Sequence, residues 1–348
     1  MKGISIKDIA KQAGVSPTTV SFVLNGKAKE KRISEQVSKR IIKIAERLKY
    51  KPNQLARGLR TGKTKTIGLI VEDIANNFFA TLAKVVEDEA DKHHYKVLYG
   101  STEDNTEKAK GLLEVLKYRQ VDGYIITPTK NLDKEIELLR EAGKPIVLMD
   151  RYFPHINSHY VVLDNFKGAY DATAHLVNQG YKKIAIVTIA SDQTQMKDRM
   201  NGFMAALKDH KIPFNKSLVK RLPFDLDRAH FIQEIKSFLL SVKELDAVFF
   251  ATNYLGISGI ESIRSLQWEI GKEIGVVGFD DHDLFRLHSP SITCVSQPLQ
   301  AIGENIVEIL MKELNRPGAA ETPPTQIVLA PELIVRDSST RGGGTQRG

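Results

Sequence analysis

ISIKDIAKQAGVSPTTVSFVLNG, residues 4–26, reads as two short helices joined by a tight turn. The first spans about Ile6 to Ala13, with Ile6, Ile9, Ala10 and Ala13 on one face at helical spacing. Gly14 ends it, where the chain needs a residue free to take positive φ. Ser16 then caps a second helix, and Pro17 occupies its first position, where a missing N–H does no harm. Val20 and Leu24 turn back toward the first helix, which leaves Pro17, Thr18, Ser21, Phe22 and Asn25 on the outward face. Two helices crossed by a Gly-containing turn, the second presenting small polar groups, predict a helix-turn-helix. A plain αα-hairpin is the competing reading.

The charge around this stretch favours the first reading. Residues 1–65 hold 17 Lys+Arg against 4 Asp+Glu, a net of +13, while the remaining residues hold 33 against 38, a net of −5. A positive footprint confined to the first fifth of the chain points to a polyanion. A bare basic tail would give the same sum without the helical pattern. With 348 residues, 42% apolar and 26% charged, the chain is an ordinary globular sequence, large enough for a small unit plus a two-lobed one. No apolar run approaches the roughly 20 residues that cross a bilayer. The basic start lacks the apolar core of a signal peptide, so a cytoplasmic location with no membrane partner is expected. The single cysteine, Cys294, excludes an intrachain disulfide and a Cys-based zinc site, and its apolar surroundings predict a buried thiol.

Outward from the opening motif, Ser34 starts a third helix that runs to about Leu48. Val37, Ile41, Ile44 and Leu48 form the stripe that closes a three-helix core, and Lys39, Arg40, Lys43 and Arg47 line the other side. This defines a headpiece, residues 1–52. Asn53 can cap a short helix from Gln54 to Arg60 within a linker, residues 53–65. Seven residues are too few for a stable isolated helix, so this one forms only when held. Leu59, beside Arg57 and Arg60, either packs locally or enters a minor groove as an apolar wedge.

From Thr66 the period changes. TIGLIV (66–71), KVLYGS (96–101), GYIIT (123–127), PIVLMD (145–150) and HYVVLD (159–164) read as strands separated by helices. The theme restarts with KIAIVT (183–188), SLVKRL (217–222), AVFFAT (247–252) and IGVVGFD (274–280). Alternating βα units of this length predict two lobes, each a doubly wound parallel sheet. The core is expected over 66–340: a first lobe of 66–164 with 297–325, and a second of 165–296 with 326–340. The Gly-rich tail, 341–348, has a disordered composition.

These residues resemble the LacI/GalR family of bacterial transcription regulators. The likeness lies in IKDIAKQAGVSPTTVSFVLNG and KRIIKIAERLKYKPNQLARGLRTGKTKTIGLI. It continues in order through VDGYIITP, PIVLMDR, LDNFKGAYDAT, RMNGFMAAL, DAVFFATN, IGVVGFDD and TCVSQPLQAIG, covering about residues 4–337. The resemblance implies a homodimer reading a near-palindromic DNA operator. It also implies a core shaped like a periplasmic binding protein, with a small effector between its lobes and no cofactor. Residues 54–60 would be a hinge helix ordered on DNA, with Leu59 as the wedge, arginines such as Arg57 on the backbone, and Asn53 also among the DNA-binding residues. Pro17, Thr18 and Phe22 match positions that face base edges, although Phe22 could instead pack within the headpiece. Ser16, Thr19, Ser21 and Asn25 suit phosphate contacts, which position without specifying sequence.

In the core, Phe78 and Phe79 follow the first strand, at the sheet end where such folds bind ligands, and could stack on a ring or pack in the core. Asp280 can accept two hydroxyl hydrogen bonds, Arg199 supplies a donor fork, and Asn253 can do both. Phe224, Asp164 and Arg151 match further cleft positions of the family. The chain has Tyr254 where relatives often have Asp, and Gln193 and Gln195 where purine-binding relatives have Arg and Thr. A sugar or sugar derivative is therefore the expected effector, and Arg151, if it faces the cleft, hints at an anionic one.

An enzyme is disfavoured, because no GxGxxG or GxxxxGK[ST] follows any strand. Asp280-Asp281-His282-Asp283 resembles a metal site only on paper, since neighbours along a strand point to opposite faces. A sugar-binding protein without a gene-regulatory role fits the lobes but leaves residues 1–60 unexplained. Activation in place of repression stays compatible with the sequence.

Overall fold

The computed structural model describes residues 4–50, 63–316 and 323–341. The chain divides into two compact units, Met1–Thr64 and Lys65–Gly348. Asn53, Arg57, Leu59 and the expected hinge helix lie outside the described residues, as does the tail from 342 onward.

The first unit has three helices, α1 (Ile6–Ala13), α2 (Pro17–Leu24) and α3 (Glu35–Arg47). Asp8 accepts from the Ser5 N–H at 2.8 Å and closes the first turn of α1. Gly14 ends that helix in the left-handed region, at φ 64°. The Ser16 hydroxyl accepts from the Thr19 N–H at 3.1 Å and caps α2. Ile9, Ala10, Ala13, Val20, Val23, Ile41 and Ala45 are buried together. Each large aliphatic among them stabilises the unit by about 1.5–3 kcal/mol. Val23 joins this core, a position the expected stripe omits, whereas Leu24 is only partly covered. On a helix, residues 20, 23 and 24 share one side, and the turn after α2 leaves Leu24 at the rim.

The second unit begins with β1 (Thr66–Val71), α4 (Asn77–Lys92), β2 (Lys96–Ser101), α5 (Thr106–Tyr118), β3 (Gly123–Ile126), α6 (Asp133–Glu141), β4 (Ile146–Met149) and β5 (His159–Leu163). It continues through α7 (Asn165–Asn178), β6 (Ile184–Ile189), α8 (Thr194–Asp209), β7 (Val219–Leu222), α9 (Arg228–Ser241), β8 (Ala247–Phe250), α10 (Asn253–Ser265) and β9 (Gly275–Phe279). Last come α11 (Asp283–Leu287), β10 (Thr293–Ser296), α12 (Leu299–Asn315), β11 (Gln326–Leu329) and β12 (Glu332–Ile334). Two six-stranded sheets result, in the orders β11-β5-β4-β3-β1-β2 and β12-β10-β9-β8-β6-β7. All pairings are parallel except β10 with β12. Helices cover both faces of each sheet, so β3, β4 and β8 are buried at every residue and read as continuous apolar runs.

The strand order corrects one expected boundary. Sequence pattern assigns residues 326–329 to the second lobe, but β11 pairs with β5 of the first, Ile327 opposite Val161. The chain returns to the second lobe only at Ala330–Pro331. It thus passes between lobes three times, at Asp164, at Gln297–Pro298 and at Ala330–Pro331. A hydrogen bond from the Asp164 N–H to the Leu329 carbonyl, 2.8 Å, ties the first passage to the third.

Within the second lobe α7 and α8 pack at backbone distance: a Cβ on Gly202 would lie 2.2 Å from the Phe166 carbonyl oxygen. Cys294 is fully buried, and its thiol donates to Asp281 Oδ1 at 3.1 Å. Arg336 holds the same carboxylate with two hydrogen bonds of 2.8 Å. His282 caps α11, a short helix with no separate signal in the sequence pattern. Asp281 and His282 are therefore engaged in structural contacts. Among the described residues no helix is long and apolar enough to cross a membrane.

Candidate functional site

In the headpiece, Ser16, Pro17, Thr18 and Asn25 are exposed, and Thr19, Ser21 and Phe22 are half-buried. The hydroxyls of Ser16 and Thr19 are bonded at 2.8 Å, and the Asn25 amide donates to the Ser21 carbonyl at 2.7 Å. Thr18 makes no hydrogen bond through its side chain among the described residues and presents a free hydroxyl. Phe22 is partly packed, with the Lys31 ammonium 5.6 Å from its ring centroid. Lys39, Arg40, Lys43 and Arg47 on α3 are all exposed.

The second candidate site lies where the carboxyl ends of the strands in both sheets face each other. Glu72 follows β1, Asp150 follows β4, Phe224 follows β7, Thr252 follows β8 and Asp280 follows β9, and all of them line one cleft. A tight inner chamber of about 40 Å³ adjoins an outer recess of about 380 Å³, and Glu72, Asn76, Phe224 and Tyr254 line both. The inner chamber has room for only a few waters. Cross-lobe hydrogen bonds hold it narrow: Asn253 Nδ2 donates to Asn76 Oδ1 at 2.8 Å, and Gln193 Nε2 to Asp104 Oδ1 at 3.0 Å.

Asp150 and Asp280 occupy equivalent places, just past the third strand of each sheet order, and both have φ 66°. The left-handed region is uncommon for residues with a side chain, and Asp tolerates it better than most. The Asp280 carboxylate accepts from Gln297 Nε2. The Asp150 carboxylate accepts no hydrogen bond among the described residues. Burial pushes both carboxyls above their usual range, against the pull of Arg199 on each.

Arg199 extends from α8. Nε donates to Asn165 Oδ1 at 2.8 Å, Nη1 to the Ala251 carbonyl at 2.6 Å, and the guanidinium carbon lies 3.6 Å from the Phe279 ring centroid. Nη2 is unclaimed among the described residues, and Arg199 lines the inner chamber. Gln195, also on α8, is 4% exposed, and its Oε1 has no partner among the described residues. Phe78 and Phe79 meet edge to face at 4.8 Å between centroids. They belong to the first lobe's core and also line the chamber. Phe224 stands edge-on to Tyr254 at 6.4 Å.

Two expectations change, for Arg151 and Asp164. Arg151 lines the cleft, but its guanidinium is occupied: Nη1 donates to Glu72 Oε2 at 2.6 Å and Gln193 Oε1 at 3.0 Å, Nη2 to Asp104 Oδ1 at 3.3 Å, and Nε to the Pro128 carbonyl at 2.7 Å. It is the centre of a buried clasp. Burial nevertheless pushes Glu72 up to about 6, outweighing the guanidinium beside it. Asp164 does not line the cleft; it caps α7 by accepting from the Lys167 N–H at 2.9 Å, as a carboxylate at a strand-to-helix junction readily does. Asn253 lines the outer recess and bridges the lobes. Glu72, Asn76, Asp104 and Asp150 join the cleft without having been singled out by sequence pattern. A signal for Asp150 exists there, since PIVLMD ends in Asp after a buried strand just as IGVVGFD does.

Comparison with known proteins finds matches in both units. Residues 5–53 match the model of bacterial regulatory proteins, lacI family, and residues 173–339 match a periplasmic binding protein-like domain. The HTH-type transcriptional regulator RegA of Clostridium saccharobutylicum is 32% identical over 336 residues, 96% of this chain and 99% of RegA. The lac repressor dimer bound to operator and the anti-inducer ONPF has the same fold, with TM-score 0.84, 19% identity, and coverage of 98% of this chain and 100% of that one. So does the transcriptional regulator CelR in complex with cellobiose, with TM-score 0.71, 24% identity, and coverage of 96% and 99%.

Proposed function

Because the chain belongs to the LacI family of bacterial regulatory proteins, we propose that it is a repressor that reads a near-palindromic operator as a homodimer and answers to a small effector, a sugar or sugar derivative, held between its lobes. The observation that carries this reading is a pairing within one chain. A strongly positive headpiece exposes the polar face of a helix-turn-helix, and a core cleft holds buried polar groups without partners among the described residues. Pro17, Thr18 and Phe22 meet base edges in the major groove, Thr18 through its free hydroxyl and Phe22 by apolar contact. Ser16, Thr19, Ser21 and Asn25 hold phosphates, and Asn53, Arg57 and Leu59 serve the minor groove between half-sites.

In the core, Phe78, Phe79 and Phe224 cover the flat faces of a ring, while Asp280, Arg199 and Gln195 bind its hydroxyls. The CelR–cellobiose complex, with the same two-lobed core, supports a carbohydrate. Asn253 and the Arg151 clasp position the lobes without binding the effector, because their polar groups already bond across the cleft or within it. The effector acts by linkage: it shifts the DNA-binding equilibrium only as far as its affinities for two lobe arrangements differ.

The test is to incubate the protein with sheared genomic DNA of its host near physiological salt and sequence what is retained. Recovery of a short palindrome supports the reading, and its neighbouring genes narrow the effector. Retention without sequence preference, both alone and with a sugar panel present, would instead favour a ligand-binding protein without a regulatory role. Leu59→Ala is expected to weaken specific binding far more than non-specific binding, and equal losses would remove the wedge.

A further inference from the structure

Resting on the reading of the cleft as the effector site, we propose that the effector is an amine-bearing polyol, such as an amino sugar, and not a phosphorylated or carboxylated one. Four carboxylates meet the cleft, from Glu72, Asp104, Asp150 and Asp280, against two guanidiniums, Arg151 and Arg199. Arg151 is committed to Glu72 and Asp104 at 2.6 and 3.3 Å. An incoming anion would have to break that clasp to reach it. It would also face Asp150, whose carboxylate has no hydrogen-bond partner among the described residues, and Asp280, which accepts from Gln297.

Among the unclaimed charged groups acceptors outnumber donors: the Asp150 carboxylate and the second Asp280 oxygen stand against Arg199 Nη2. The neutral amides of Gln195, a side chain 4% exposed whose Oε1 has no partner among the described residues, and of Asn76 offer a donor as well. A ligand that matches this set brings positive charge together with groups that both donate and accept. An ammonium group meets that demand at Asp150 or at Asp280, which both line the inner chamber. Hydroxyls then serve Gln195 and Arg199, and Phe78 and Phe79 cover the ring carbons.

The experiment is calorimetric titration of the full-length protein with matched probes. These are glucose, glucosamine, gluconate and glucose 6-phosphate, and the corresponding galactose set. A charge-assisted hydrogen bond predicts that an amine probe binds about 10- to 100-fold more tightly than its neutral parent. Asp150→Asn should erase that difference, provided the variant melts at the parent temperature; Asp280→Asn is the second variant if it does not. Tighter binding of the acid or phosphate, equal binding across the set, or no binding of either amine probe overturns the proposal. Loss of anion binding in Asp280→Ala and Gln195→Ala would keep the cleft as the site and discard only the charge assignment. Binding of any probe that both variants leave untouched would discard the cleft reading itself.

Discussion

Replacing Arg151 by Met tests the clasp at the base of the cleft. Glu72 ionises near 4.5 in the unfolded chain and near 6 in the fold, so between those values the fold holds a proton that the unfolded chain has released. The favourable contribution of this group is complete below about 4.5 and lost as pH rises through 6, a difference of roughly 2 kcal/mol at neutral pH. Without the guanidinium the buried carboxyl escapes only by staying protonated. At pH 7 that costs roughly 3 kcal/mol relative to an unfolded chain ionising at its ordinary value, so Glu72 adds about 1 kcal/mol. The Pro128 carbonyl, left unpaired, adds about 1–3 kcal/mol. The sum, about 2–4 kcal/mol, falls near the usual penalty for breaking a buried pair. Urea unfolding at about pH 5 and about pH 7.5 should show a small gap between parent and variant at the lower pH and a wider one at the higher. Adding Glu72→Gln to the variant should remove the widening. A variant as stable as the parent, or a gap independent of pH, would refute this account of the clasp.

Asp280→Ala should abolish the effector response and leave operator affinity within the error of a gel-shift or fluorescence assay; a normal response would remove Asp280 from the site. Gly202→Ala forces a methyl against the Phe166 carbonyl and should destabilise the core by about 1–3 kcal/mol, read as a lower melting temperature. Gly111→Ala, on α5 with open space around it, should instead stabilise by about 0.5–1 kcal/mol. Cys294, buried and with its thiol pushed far up by burial, should resist a thiol reagent at mildly alkaline pH until the chain unfolds; rapid labelling of the native protein would contradict its placement.

Local pattern carries much of this molecule. The strands are legible because sheets covered on both faces demand unbroken apolar runs, and the first helices because Gly14, Ser16 and Pro17 punctuate them. Arg151 is illegible for the opposite reason: its partners Glu72 and Asp104 lie 79 and 47 residues upstream, and no spacing rule connects them. The lobe of β11 depends on which sheet edge is vacant, a property of the whole assembly. Asp164 and Asp280 look alike in sequence, each an Asp after an apolar strand, yet one caps a helix and the other faces the cleft. The next residues of the chain separate the two roles. It enters α7 directly after Asp164, whereas Asp281 and His282 stand between Asp280 and the start of α11.

The three passages between lobes also have a mechanical consequence. A single strand would let one lobe swivel on the other in any direction, like a ball on a string. Three chains spanning the same gap act as straps of one door: they allow it to swing and forbid it to twist. Pro298 and Pro331 stiffen two of the straps, since each ring fixes a backbone torsion, and the Asp164–Leu329 bond couples the third to its neighbour. On the reading of the cleft as an effector site, the free energy of binding there would be channelled into one coordinate, the opening angle, and not into a general loosening.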